Sequence, residues 1–214
     1  MIIAIDGPAA SGKGTIARRL ASHFGLPHLD TGLLYRGVGK VMLDQGLDLA
    51  DEAQAERVAL ALDPQQLDDD ALRGAQMGEA ASRIAGHPKV RQALLKLQRD
   101  FAGQTGGAVL DGRDIGTVIC PGATVKLFVT ASAPERARRR HLELQKRGDG
   151  IGYDAVLADI ERRDERDSAR SSAPLIKAGD ACLLDTTNLD IEGAFWAALD
   201  QVERAVSASA SRQG

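Results

Sequence analysis

The residues with the most chemical content lie near the start of the chain: Gly7-Pro8-Ala9-Ala10-Ser11-Gly12-Lys13-Gly14-Thr15. They carry the G-x-x-x-x-G-K spacing of a phosphate-binding loop, between a predicted strand and a predicted helix. Glycines let backbone N–H groups converge on phosphate oxygens, and the helix N-terminus adds a positive field. Lys13 supplies a mobile charge at the β and γ phosphates. The residue after Lys13 is Gly14 rather than Ser or Thr, and a hydroxyl arrives one position later, at Thr15. The usual direct magnesium ligand is thus absent from its usual place. Magnesium is expected to be held largely through water and phosphate oxygens, with Thr15 touching phosphate.

A second acid-bearing stretch is Ala108-Val109-Leu110-Asp111-Gly112-Arg113-Asp114. It places Asp111 at the carboxyl end of an apolar strand, the edge where open α/β sheets bind ligands. There Asp111 is positioned to orient water around magnesium. A third stretch is rich in arginine. From Arg136 to Arg170 there are ten Lys or Arg and eight Asp or Glu, a net of +2 in a chain of net charge −3. Arg163, Arg166, Asp167 and Arg170 recur at helical spacing and share one face. Beside a phosphate cradle, arginines on a helical hairpin hinged at Gly148-Asp149-Gly150 suit a lid that closes over the substrates and excludes water.

The elements that must position these groups follow from the patterning. Ile2–Ile5 reads as a buried strand, and 14–24 as a helix with Ile16, Ala17, Leu20 and Phe24 on one face. Asp30 or Thr31 caps a helix running through Tyr35, Val38 and Met42. From Asp44 to Asp70 there are nine acidic residues and one basic one, Arg57. That stretch is helical over 53–62, broken at Pro64, and peripheral. Helices are predicted over 72–85, 90–101, 134–146, 153–168 and 191–206. Further strands are predicted at 108–111, 125–129 and 181–185, and the Ser/Ala-rich tail after Ser207 is expected to fray. Strands alternating with helices indicate an α/β fold with a parallel sheet covered on both faces.

Composition sets the outer bounds. The chain has 214 residues, enough for one domain with an insert. Aromatic residues make up 3%, too few for a protein that stacks bases on aromatic platforms. Together with the net negative charge, this argues against a nucleic-acid partner. Cys120 and Cys182 fit no zinc spacing and are expected to be buried free thiols of a reducing compartment. No apolar run approaches the roughly 18 residues of a membrane span, and the N-terminus does not read as a signal peptide. A cytoplasmic location is expected. The four histidines are expected to be surface or packing residues.

Two blocks join the phosphate loop in a pattern that resembles bacterial cytidylate kinases: Asp30-Thr31-Gly32-Leu33-Leu34-Tyr35-Arg36 and Asp111-Gly112-Arg113-Asp114-Ile115-Gly116-Thr117-Val118. Arg163–Arg170, followed by Ala173-Pro174-Leu175, extends it. The spelling Gly-Lys-Gly-Thr is that of nucleoside monophosphate kinases. The resemblance covers nearly the whole chain. It implies a P-loop kinase fold, with 44–87 as a small monophosphate-binding insert and 136–170 as the arginine-rich lid. It implies transfer of the γ-phosphoryl group of ATP to CMP or dCMP, with magnesium as cofactor, by a monomer.

The resemblance also implies roles. Gly7 to Thr15 would bind ATP, with Lys13, Arg113 and Arg163 acting in catalysis. Thr31, Tyr35 and Arg36 would lie in the acceptor site, with Arg36 on the acceptor phosphate. Ser82, Arg91 and Asp114 would read the cytosine edge, and Asp167 and Arg170 would address the sugar. Cytosine's exocyclic amine suits the Asp114 carboxylate, whereas uracil presents an oxygen there, so CMP is expected over UMP. The insert is shorter than in longer members of that family. A kinase for another small acceptor (UMP, dTMP or a metabolite) and a P-loop ATP-binding switch are the competing readings. The chain lacks the Asn-Lys-x-Asp base motif of GTPases.

Overall fold

The computed structural model describes residues 1–67, 71–72 and 74–210, with the backbone alone at 209 and 210. Expectations for Asp68, Asp69, Asp70, Arg73 and 211–214 lie outside the described residues. The chain folds as two compact units, one comprising Met1–Leu29 with Phe101–Gly214 and the other Asp30–Asp100.

In the first unit, β1 (Ile2–Asp6) is followed by the phosphate loop and α1 (Lys13–Phe24). Then β2 (His28–Asp30) leads out of the unit, and β3 (Ala108–Gly112) resumes it. A π-helical turn, Ile115–Ile119, precedes β4 (Val125–Thr130). The sheet has the order β2-β3-β1-β4-β5, where β5 is Cys182–Asp185. β1 pairs in parallel with β3 and β4, and β4 with β5. This is the expected α/β architecture, in which helical crossovers provide the connections that parallel pairing requires.

β3 is buried end to end, and β1 from Ile3 onward, because both of their faces are covered. Ile3, Ile5, Val109, Leu127, Val129 and Leu184 pack with Ile16 and Leu20 of α1 and with the closing helix Ile191–Ala210 through Phe195, Leu199 and Val202. The register sets the ligand edge. Ile5 stands beside Asp111 and Asp6 beside Gly112, so the phosphate loop and the Asp111–Asp114 segment leave the same end of adjacent strands.

In the second unit, α2 (Thr31–Asp44) starts at Asp30, whose carboxylate accepts from Gly32 N at 2.9 Å. It packs on α4 (Ala75–Ile84) at close range, since a Cβ at Gly39 would stand 2.9 Å from the Ala80 methyl. Between them lie α3 (Glu52–Leu60) and a 3-10 turn, Pro64–Gln66, and α5 (Pro88–Ala102) closes the unit. Asp51 and Asp63 serve as N-caps, so part of the acidic run terminates helices.

Several expectations need correction. The helix expected over 72–85 begins only at Ala75, after Gly74. β2 was not expected as a strand. The last helix runs to Ala210 instead of ending at 206, because alanine at the tail favours the helix it extends. Cys120 is a buried free thiol, but Cys182 is exposed, because β5 is the edge strand and its neighbour Leu183 is 56% exposed.

Candidate active site

The phosphate loop is held by contacts that tolerate no side chain at its first glycine. A Cβ at Gly7 would stand 2.0 Å from the Val129 carbonyl oxygen. Ala10 and Gly12 both adopt left-handed backbone conformations, with φ 58° and 88°. These bends turn the chain from β1 into α1 and curl successive N–H groups inward. Lys13 Nζ lies 3.3 Å from the Pro8 carbonyl, folded back over the loop. The Ser11 hydroxyl is fully buried and has no hydrogen-bond partner among the described residues. A buried polar atom of this kind inside a cradle suits a ligand oxygen.

Two arginines of α6 (Ala133–Lys146) buttress the loop from behind. Arg136, 5% exposed, donates through Nε to Ala131 O and through Nη1 to Ala9 O at 3.3 Å. Its fork also takes both oxygens of Asp164 at 3.0 and 2.6 Å, reaching α7 (Tyr153–Ala169). Arg139 donates to Thr186 O at 2.6 Å and to Glu135 at 2.8 Å. Glu135 is held down to about 2 by hydrogen bonds from Arg138 and Arg139. Arg140 pairs with Glu143.

Next to the loop stands the acid edge. Asp111 is buried, and its Oδ1 lies 2.7 Å from His28 Nε2. Its Oδ2 would be 3.7 Å from a Cβ at Gly14. Asp6, at the end of β1, accepts Ile115 N at 2.7 Å and Gly116 N at 2.8 Å, and so clamps the turn that follows Asp114. Burial pushes the Asp6 carboxyl up to about 6, against the pull of those two N–H groups. Asp114 is itself buried.

Arg163, Arg166 and Asp167 lie on α7 as expected, whereas Arg170 follows the helix end with an extended backbone. Arg113 Nε donates to Asp167 at 2.8 Å, and Arg170 pairs with the other oxygen of the same carboxylate. Burial opposes ionisation of Asp167, yet the two guanidiniums hold its carboxyl below the ordinary range. Arg163 lies 3.0 Å from Asp159. The structure thus brings together Gly7–Thr15, Asp111, Arg113, Asp114, Asp167 and Arg170 within one unit.

Thr31, Tyr35, Arg36, Ser82 and Arg91 lie in the other unit. Thr31 opens α2 and is buried. Arg36 Nη2 pairs with Asp30 at 2.6 Å, and the Arg91 guanidinium stands 5.6 Å from the Tyr35 ring centroid. Ser82 is half-buried on α4.

The family model for cytidylate kinase matches residues 3–204. The chain belongs to the cytidylate kinase family. A cytidylate kinase of Xanthobacter autotrophicus is 65% identical over 203 residues, covering 95% of this chain and 97% of that one. One from Methylocella silvestris is 62% identical over 205 residues, covering 96% and 95%. Among solved structures, a gluconokinase from Sinorhizobium meliloti is similar with a TM-score of 0.53 at 15% identity, covering 99% of this chain and 97% of that one. An uncharacterised protein from Eubacterium ventriosum gives a TM-score of 0.55 at 16% identity, covering 95% and 98%. At such identities the two structures bear on the fold alone. No described helix of this cytidylate kinase family member is long and apolar enough to cross a membrane.

Two features escaped the sequence reading. His28 faces Asp111 rather than serving as a packing residue, and Asp6 is a clamp as well as the end of a strand. His28 is 83 positions from Asp111, and Asp6 is 109 from Ile115. No local pattern signals contacts of that range.

Proposed function

We propose that this protein transfers the γ-phosphoryl group of ATP to CMP or dCMP, giving ADP and the (d)CDP product. The observation that carries the reading is the phosphate loop with its buried Ser11 hydroxyl, which has no hydrogen-bond partner among the described residues, beside the Asp111–Asp114 edge, in a chain of the cytidylate kinase family. An oxygen of the acceptor phosphate attacks the γ-phosphorus, and the bond from that phosphorus to the β–γ bridging oxygen breaks. The nucleophile is already anionic near neutral pH, so no general base is required. Alignment and charge stabilisation do the rest.

Gly7 to Thr15 bind the ATP phosphates, with Lys13 following the charge that develops on the transferring group. Arg113 and Arg163 stabilise the same charge. Asp167 and Arg170 address the acceptor's sugar, and Asp114 accepts from the cytosine amine. In the other unit, Arg36 exchanges its Asp30 partner for the acceptor phosphate, beside Thr31 and Tyr35. Ser82 and Arg91 serve the base, and 44–87 acts as the monophosphate-binding insert. The segment 136–170 acts as the lid. Asp111 suits a hydrated magnesium ion held through water, since a glycine at position 14 adds no side chain of its own between Oδ2 and the loop, although Arg18 Nη1 also lies 3.7 Å from the place a Gly14 Cβ would take. When bound, magnesium neutralises charge on the ATP phosphates. We propose that the protein acts in the cytoplasm as a monomer, without a nucleic-acid partner.

A kinase of this kind consumes ATP only when an acceptor is present. ADP release measured with ATP and magnesium alone is expected to be near background and to rise on adding CMP. Equal release with and without CMP would instead point to an ATP-binding switch.

A further inference from the structure

Asp111 has two oxygens with different surroundings. Oδ2 faces the first turn of α1, 3.7 Å from the place where a Gly14 Cβ would stand. Oδ1 is engaged at 2.7 Å by the ring of His28 on β2, next to β3 in the sheet. The histidine side chain is 17% exposed and the aspartate side chain 3%. A carboxylate at a strand end has a rotatable χ2 with broad torsional freedom. The contact with His28 fixes the direction of Oδ1. Because a carboxylate only accepts, His28 carries its proton on Nε2 in this arrangement.

We propose that His28 is a positioning residue for phosphoryl transfer. Its Nε2–H holds Asp111 Oδ1, so that Oδ2 is presented to the hydrated magnesium at the phosphate loop. The inference rests on the reading of Asp111 as the acid that serves magnesium. It assigns a role to a histidine that no local pattern singles out. A carboxylate acting through water needs a fixed direction, and groups that hydrogen-bond a metal-binding carboxylate matter for roughly 10- to 100-fold in metal affinity or activity.

The test measures Mn²⁺ binding to the full-length protein saturated with a non-hydrolysable ATP analogue, by electron paramagnetic resonance of the free ion. It compares wild type with His28→Met, His28→Gln, His28→Asn and Asp111→Asn, each first checked for native circular dichroism. His28→Met keeps the volume and loses the donor, and is expected to weaken Mn²⁺ about 10-fold. His28→Gln places an amide N–H near the former Nε2 and is expected to restore binding to within about 3-fold of wild type. His28→Asn is too short to reach Oδ1 and replaces the Met variant if that one does not fold. The KM for CMP should stay near wild type throughout the His28 series.

Unchanged Mn²⁺ affinity in His28→Met or His28→Asn, alongside a clear loss in Asp111→Asn, would overturn the role of His28. Equal losses in His28→Met and His28→Gln would also overturn it, since packing rather than the donor would then be at stake. Unchanged affinity in Asp111→Asn would overturn the metal reading of Asp111 itself.

Discussion

Lys13 folds its ammonium over the loop to which it belongs, within 3.3 Å of the Pro8 carbonyl, and the proposed mechanism has it follow the transferring charge. Lys13→Ala should therefore lower kcat by about 100-fold or more, as removal of a transition-state donor does elsewhere. Coupled ADP assays at saturating substrates check this. The proposed role of Arg36 is different. Its guanidinium is paired with Asp30 at 2.6 Å. Arg36→Ala should raise the KM for CMP by about 10- to 100-fold, the worth of one charge-assisted contact, while ATP binding stays intact. Titration with each substrate separately distinguishes the two effects. Asp6 makes a prediction about pH. Its folded-state pKa, about 6, exceeds the ordinary 3.8, so the native state holds that proton more tightly than the unfolded chain. The stabilisation is fully present below about pH 4 and is lost as pH rises through about 6, by roughly 3 kcal/mol. Asp6→Asn should remove this dependence. The difference in urea-unfolding free energy between wild type and the variant should fall across pH 4 to 7 and be level above it.

At the scale of elements, the sheet edge, α6 and α7 depend on a few buried polar links. Arg136 binds Ala131 O, Ala9 O and both oxygens of Asp164, so one side chain joins the phosphate loop to α7. Arg136→Met keeps most of the volume but leaves Ala9 O and Asp164 without this donor. Asp164 is 30% exposed and partly rehydrates, so the expected loss is about 2 kcal/mol rather than the larger cost of a wholly buried pair. Chemical unfolding measures it, and the KM for ATP should rise alongside. Elements built on contiguous patterns were legible in the sequence. The Ile2–Ile5 run, the phosphate loop and the arginine spacing on α7 each signal themselves within a few residues. Elements made by distant partners were not. β2 is a three-residue His-Leu-Asp segment with no alternation to read, and it exists because β3 stands beside it. The π-helical turn at Ile115–Ile119 is held by Asp6, far away in sequence. Cys182 read as a buried thiol, but it lies on β5, the edge strand of the sheet, and is exposed.

For the whole molecule, the net charge of −3 conceals a division of labour. Acid gathers from Asp44 to Asp70, where Asp51 and Asp63 cap helices, while guanidiniums gather on α6 and α7. The chain's family and the chemistry of the phosphate loop were readable because their residues are adjacent. The residues proposed to read the base, Ser82, Arg91 and Asp114, are scattered along the chain, and no local pattern joins them. The most direct measurement is an acceptor panel of CMP, dCMP, UMP, AMP, GMP and dTMP, each with ATP and magnesium, followed by ADP release. CMP and dCMP should lead. UMP should show kcat/KM lower by about 10-fold or more, because its oxygen meets Asp114 where cytosine donates an amine. A rate with UMP or another acceptor equal to that with CMP would contradict the account.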